Sequence, residues 1–304
     1  MKITPLHDTE KEESMNCEVM SRSPRNGKIL SLTCSLPVVT RACLIALLAL
    51  IVILQVSDAQ ARFRPKEYDL TLVTQFENCS SAPPPQQGLC QGGNWATAFA
   101  TALYYNTCSQ SFEPMSPLSS GELLTCAAVP VDKCANIPQD LSIVDTLKNY
   151  MMSPGLPSAS CVAYKQTLSP TLNAACPTTC DDGSAKVVGF PLQELVELPQ
   201  AGYPDGPVAN VQDFIVDFGA VVMAIKDVPS LNEYLSGMYT RTANEQTFGV
   251  RFLVVVGWST TATDKVIWKV LNTTGEQSGR TGRISISSLD PNILKYYGFS
   301  VSLF

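Results

Sequence analysis

The stretch Gln86-Gln87-Gly88-Leu89-Cys90-Gln91-Gly92-Gly93-Asn94-Trp95-Ala96-Thr97-Ala98-Phe99-Ala100 decides how the rest of the chain is read. Its first half is glycine-rich and polar. From Trp95 onward the pattern turns helical. Trp95, Ala98, Phe99, Ala102 and Leu103 recur at three-four spacing, the mark of one apolar face on a helix reaching Asn106. That helix is a buried structural element whatever stands at its start, where Gly93 and Asn94 lie.

Outward from this stretch, cysteine and histidine are the informative counts. Of eleven cysteines, Cys17, Cys34 and Cys43 lie in or before an apolar run. The remaining eight, Cys79, Cys90, Cys108, Cys126, Cys134, Cys161, Cys176 and Cys180, follow it. An even set beyond an apolar N-terminal segment reads as disulfides formed in an oxidising compartment, the alternative being buried free thiols. The one histidine is His7, before the apolar run. Ser-His and Cys-His nucleophilic pairs are therefore excluded from the folded region, as are zinc sites that need imidazole. No metal and no cofactor is expected. The 304 residues suffice for one sizeable folded region of one or two domains. The net charge of -6 argues against a nucleic-acid partner.

In chain order, residues 1–41 are polar, lack apolar periodicity and read as a disordered tail. Residues 42–61 hold an apolar run, Ala42 to Val56, shorter than the roughly 20 residues a membrane span needs. Ala59-Gln60-Ala61 then offers a small-residue cleavage site. Two readings stand, a cleaved signal peptide and a type II signal anchor with its basic flank in the cytosol. Residues 62–304 form the folded region, which would face the lumen or exterior. Asn78-Cys79-Ser80 and Asn272-Thr273-Thr274 are glycosylation sequons at Asn78 and Asn272. Helices are expected at 118–124, 141–152 and 211–218. Strands are expected at 220–225, 250–258, 266–271, 283–286 and 299–303. Helices first and antiparallel strands later indicate an α+β protein with two subdomains.

The opening stretch resembles the active-site segment of papain-like cysteine peptidases. Their pattern, Gln-Gly-x-Cys-Gly-Ser-Cys-Trp-Ala-Phe, puts the nucleophilic second Cys at the start of the central helix. Gln87-Gly88, Cys90 and Trp95-Ala96 match it. Counting back from Trp95, Asn94 holds the nucleophile's place; counting forward from Cys90, Gly93 holds it. Further ordered matches extend the likeness from about Tyr68 to the C-terminus and are closest to the cathepsin B branch. They include Glu122-Leu123-Leu124-Thr125-Cys126, Ser160-Cys161-Val162-Ala163-Tyr164, Cys176 to Cys180, Tyr234 to Tyr239, Val255 to Trp258 and Trp268 to Asn272.

The resemblance implies an α+β, two-domain papain-like fold. A helical domain of about 78–185 would face an antiparallel β-barrel-like domain of about 186–304 across a cleft. It implies disulfides Cys79–Cys108, Cys90–Cys134, Cys126–Cys176 and Cys161–Cys180. It also places Arg251 where the family's base His stands, Asn272 where its orienting Asn stands and Gln87 where its oxyanion Gln stands. An amide and a guanidinium cannot replace thiolate and imidazole, because arginine stays charged and does not shuttle protons near neutrality. Asn136 and Ile137 replace family glycines along the peptide-binding edge, and Thr274 and Ser278 replace two tryptophans. No long helical pro-segment is expected between Ala61 and Tyr68. The expectation is a catalytically inactive cathepsin B-like homologue, a secreted or membrane-tethered binding protein with a protein or peptide partner. It would contact a membrane only through 42–61 if that segment is uncleaved, and it would be extracellular, lysosome-like or anchored. The alternatives are an active cysteine-type peptidase of the secretory or lysosomal pathway and a disulfide-stapled adhesion module.

Overall fold

The computed structural model describes residues 17–20, 31–34, 64–73, 79, 90, 93–111, 115–127, 137–153, 155–165, 175–189, 192–199, 206–273 and 282–301. The chain divides into two units, Met1–Phe63 and Arg64–Phe304. In the first, strands β1 (Cys17–Met20) and β2 (Ser31–Cys34) pair antiparallel. The apolar run and its cleavage motif lie outside the described residues. Among the described residues no helix is long and apolar enough to cross a membrane, so the transmembrane reading finds no support in them.

The second unit is α+β. Its centre is helix α1 (Asn94–Gln110), whose residues from Asn94 to Cys108 are buried except Thr101. A helix hidden on all sides needs small residues where other elements approach, and Ala96, Ala98, Ala100 and Ala102 supply them. Helices α2 (Ser120–Cys126) and α3 (Ile143–Met152) complete the helical region. Ser119 caps α2 by accepting the Glu122 amide at 2.8 Å.

The sheet comprises β3 (Glu67–Asp69), β4 (Leu192–Leu198), β5 (Val221–Asp227), β6 (Gly249–Thr260), β7 (Val266–Leu271), β8 (Arg283–Ser287) and β9 (Ile293–Val301). Its order is β4-β9-β5-β6-β7-β8, antiparallel throughout, and β3 pairs with β6. Helix α4 (Gly206–Phe218) and the short α5 (Pro229–Asn232) lie between strands in the sequence.

Strand β6 explains the architecture. Its first ten residues are buried, so its sequence is an apolar run, broken only by Arg251, instead of an alternation. Val250, Phe252, Val254 and Val256 enter the core built around α1, where Phe99 meets Phe252 and Phe299 at 5.5 and 5.6 Å. Leu253 and Val255 enter a second core with Val211 and Ile215 of α4. With helices on both faces, the sheet stays open: its terminal strands β4 and β8 do not pair. This corrects the barrel-like expectation. Closure would require β4 and β8 to meet, whereas the edge of β8 is met by Met238-Tyr239, with Tyr239 N donating to Ser285 O at 2.7 Å.

Glycine is required at one tight crossing. A Cβ on Gly257 would lie 2.2 Å from Tyr68 O, so only glycine lets β3 pair with β6. Tyr68 then stacks on Trp258 at 5.0 Å, and Trp258 Nε1 donates to Pro65 O at 2.9 Å. Arg64 forks onto Asp213 of α4 at 2.7 and 2.8 Å, fastening the start of this unit. Disulfides join Cys79 to Cys108, Cys126 to Cys176 and Cys161 to Cys180. Cys90 is also disulfide-bonded, and Cys134 lies outside the described residues.

Candidate functional site

The start of α1 is built on Cys90, whose carbonyl accepts the Gly93 amide at 3.1 Å. A Cβ on Gly93 would lie 2.8 Å from Cys90 Sγ and 3.2 Å from Leu124 Cδ1. Of the two positions that could hold the nucleophile's place, Asn94 is therefore the one with room for a side chain. Asn94 is the first residue of α1 and is 3% exposed. Its Nδ2 donates to Phe252 O at 3.2 Å.

Phe252 O is available for a topological reason. The β7 register ends with Leu271 opposite Val254, so β6 has no β7 partner at Phe252. Thr273 fills the gap, its Oγ1 donating to the same carbonyl at 2.6 Å. The preceding Asn272 is fully buried, with its amide donating to Gly282 O at 2.8 Å. Asn94 and Thr273 thus converge on one backbone carbonyl. Of the two sequon asparagines, Asn272 is buried in the folded chain, and Asn78 lies outside the described residues.

Arg251 is not brought into this group. Alternation along β6 puts its side chain on the face of Leu253 and Val255, away from Phe252 and α1. It is 5% exposed and lies 2.7 Å from Asp227 Oδ1, and it donates to Asn232 Oδ1. The Arg251–Asp227 approach is a close ion pair within the buried second core. Arg251 Nη1 and, this ion pair apart, Asp227 Oδ1 have no hydrogen-bond partner among the described residues. Burial pushes the Asp227 carboxyl above its ordinary range, against the opposing pull of Arg251. Burial likewise lowers the Arg251 guanidinium from its ordinary value, partly offset by Asp227. Each partner carries a desolvation cost that the pair only partly repays.

Ile137 and Pro138, in the edge segment, lie against the start of β6. Pro138 O accepts the Val250 amide at 2.7 Å, and Gln139 Nε2 donates to Phe248 O at 3.0 Å. Gln87, Asn136, Thr274 and Ser278 lie outside the described residues.

A second polar cluster went unread in the sequence. Glu122 of α2 is 1% exposed, and its Oε1 accepts Tyr150 OH and Lys186 Nζ, each at 2.7 Å. Burial, then the bond to Glu122, raises the Tyr150 phenol well above its ordinary value. Glu122, Cys126 and Cys176 hold potential ligand atoms within 4.8 Å of one another, and both sulfurs are joined in the disulfide. Glu122 stands in a matched motif, yet nothing local indicated that Lys186, 64 residues away, would pair with it. Asp227 was more legible. A charged arginine on a strand calls for a carboxylate, and Asp227 follows the expected strand 220–225, which the fold pairs with the strand carrying Arg251.

The match to known proteins follows the same boundaries. Residues 65–294 match the family described as papain family cysteine protease, and the chain belongs to that family. Among solved structures it is similar to procathepsin B S9 from Trypanosoma congolense, at 20% identity and a TM-score of 0.65 over 79% of this chain and 78% of that one. It is also similar to the bromelain protease of Ananas comosus, solved with the inhibitor E64, at 15% identity and TM-score 0.56 over 78% and 100%. Procathepsin L 3 of the Tenebrio molitor larval midgut matches at 18% and 0.57 over 80% and 72%. At these identities the likeness is one of fold. No curated protein matches the chain in sequence.

Proposed function

We propose that this chain is a non-catalytic, cathepsin B-like member of the papain family, a binding protein of the secretory pathway that takes a protein or peptide partner. The observation that carries the reading is Arg251. At the family's base position stands a residue that cannot shuttle protons, buried and neutralised by Asp227 on the face of β6 turned from Asn94. At the nucleophile's place stands an amide occupied with a backbone carbonyl. Both positions have become structural, while the fold that presents a binding surface is retained. The disulfides support the compartment.

The test is turnover of a dipeptidyl fluorogenic substrate by the purified chain from acid to neutral pH, alongside labelling by an epoxide probe. The expected result is neither turnover nor label. Turnover abolished by Asn94→Ala or Arg251→Ala would return the chain to the active peptidases. Crosslinking in the lumen of the secretory pathway is expected to recover a protein partner.

A further inference from the structure

We propose that the Cys126–Cys176 bridge is a reducible site whose open form, with Glu122, binds a thiophilic divalent cation such as zinc.

Access singles out this bridge. Cys176 is exposed and Cys126 half-buried, whereas Cys79, Cys90, Cys108, Cys161 and Cys180 are all buried. Thiol–disulfide exchange requires a thiolate to reach a sulfur, so among the three described bridges an external dithiol meets Cys126–Cys176 first. Its two thiolates attack in turn. The protein disulfide gains two electrons and leaves as two cysteine thiols, and the dithiol is oxidised to its own disulfide.

The opened site has the right donors. The ligand atoms of Glu122, Cys126 and Cys176 lie within 4.8 Å of one another. In a tetrahedral zinc site, with sulfur at about 2.3 Å and carboxylate oxygen at about 2.0–2.2 Å, ligand atoms lie roughly 3.5–3.8 Å apart, so the three donors need only modest movement. The main adjustment is separation of the two sulfurs, and Cys176 is exposed and so able to make it. Glu122 supplies an independent pointer. Its carboxylate is buried, and Oε2 has no hydrogen-bond partner among the described residues. A lone pair left in this state is costly unless something takes it up.

The charges balance. Two thiolates and Glu122 carry three negative charges; Lys186, 2.7 Å from Glu122 Oε1, and a divalent cation supply three positive ones. Binding releases the two thiol protons to solvent. Three protein ligands leave a fourth position to water.

The experiment uses the full-length protein. Graded dithiol treatment, alkylation and peptide mapping are expected to show Cys126 and Cys176 modified before the Cys79–Cys108 and Cys161–Cys180 pairs. Competition with a chromophoric chelator is expected to give one zinc per reduced chain and none for the oxidised chain. Cobalt(II) should report the same site through a thiolate-to-metal charge-transfer band and tetrahedral ligand-field bands. Glu122→Gln should lose the tetrahedral cobalt signature. Should that variant fail to fold, Cys176→Ser, altered at an exposed position, should abolish uptake while keeping Cys79–Cys108 and Cys161–Cys180. No zinc taken up on reduction, undiminished uptake by Cys176→Ser, or earlier opening of either buried bridge would overturn the proposal.

Discussion

Arg251 and Asp227 form a pair whose energetics decide how this part of the molecule responds to substitution and pH. Removing one member of a buried ion pair strands the other charge, at a typical cost of about 3–5 kcal/mol, whereas apolar replacement of both is often neutral or better. Arg251→Met alone should therefore destabilise by about 3–5 kcal/mol, with Arg251→Met/Asp227→Leu recovering most of it. Urea denaturation reads the cycle, and simple additivity would show that the two side chains are not coupled. The pH response follows from burial. Because the folded pKa of Asp227 is raised, the stability it contributes is full below the unfolded value, about 3.9, and is lost as pH rises through the folded one. Comparing denaturation midpoints across that window, Asp227→Asn should lack this decline.

At the scale of elements, β6 is the member on which the others are assembled, and its run was readable because burial on both faces makes it apolar apart from Arg251. Strand β5 was legible for the same reason, and β8 through the alternation that buries Ile284 and Ile286. Strand β4 was not: its buried residues Leu192, Leu195 and Leu198 recur at a spacing of three, not two, and its pairing depends on β9, a hundred residues away. Strand β3 has three residues and exists because Gly257 admits it. Gly257→Ala should detach β3 and loosen Trp258 from Tyr68 and Pro65. The expected signature is a shift in tryptophan emission together with faster amide exchange at Tyr68. Phe99→Ala, which empties the aromatic contact between α1 and the sheet, should cost about 3–5 kcal/mol by thermal or chemical denaturation.

At the scale of the whole molecule, lost activity should resist simple repair. Restoring Asn94→Cys and Arg251→His together would put the thiol on the α1 side of β6 and the imidazole on the Asp227 side. The double variant is expected to stay unreactive toward an epoxide probe, since nucleophile and base act as a unit. Labelling of the introduced thiol that titrates with a neutral pKa would show that the two side chains meet. Secretory expression should likewise separate the sequons: Asn272→Gln should leave gel mobility unchanged, because Asn272 is buried in the folded protein.

The amino-acid sequence by itself determined the family, the even cysteine set beyond the apolar run, the absence of histidine from the folded region and the course of the long buried elements. These follow from residue identity, spacing and local periodicity, which survive in one dimension. Tertiary structure alone decided that the sheet stays open, that Gly93 has no space for a side chain, and that Asn272 is hidden. It alone set Asn94 and Thr273 on the Phe252 carbonyl, Arg251 on Asp227, and Lys186 with Tyr150 on Glu122. The physical reason is common to all of them. Each depends on which groups meet across β6 or between distant segments once burial has removed water, and a buried polar atom takes whatever partner the packing leaves within reach.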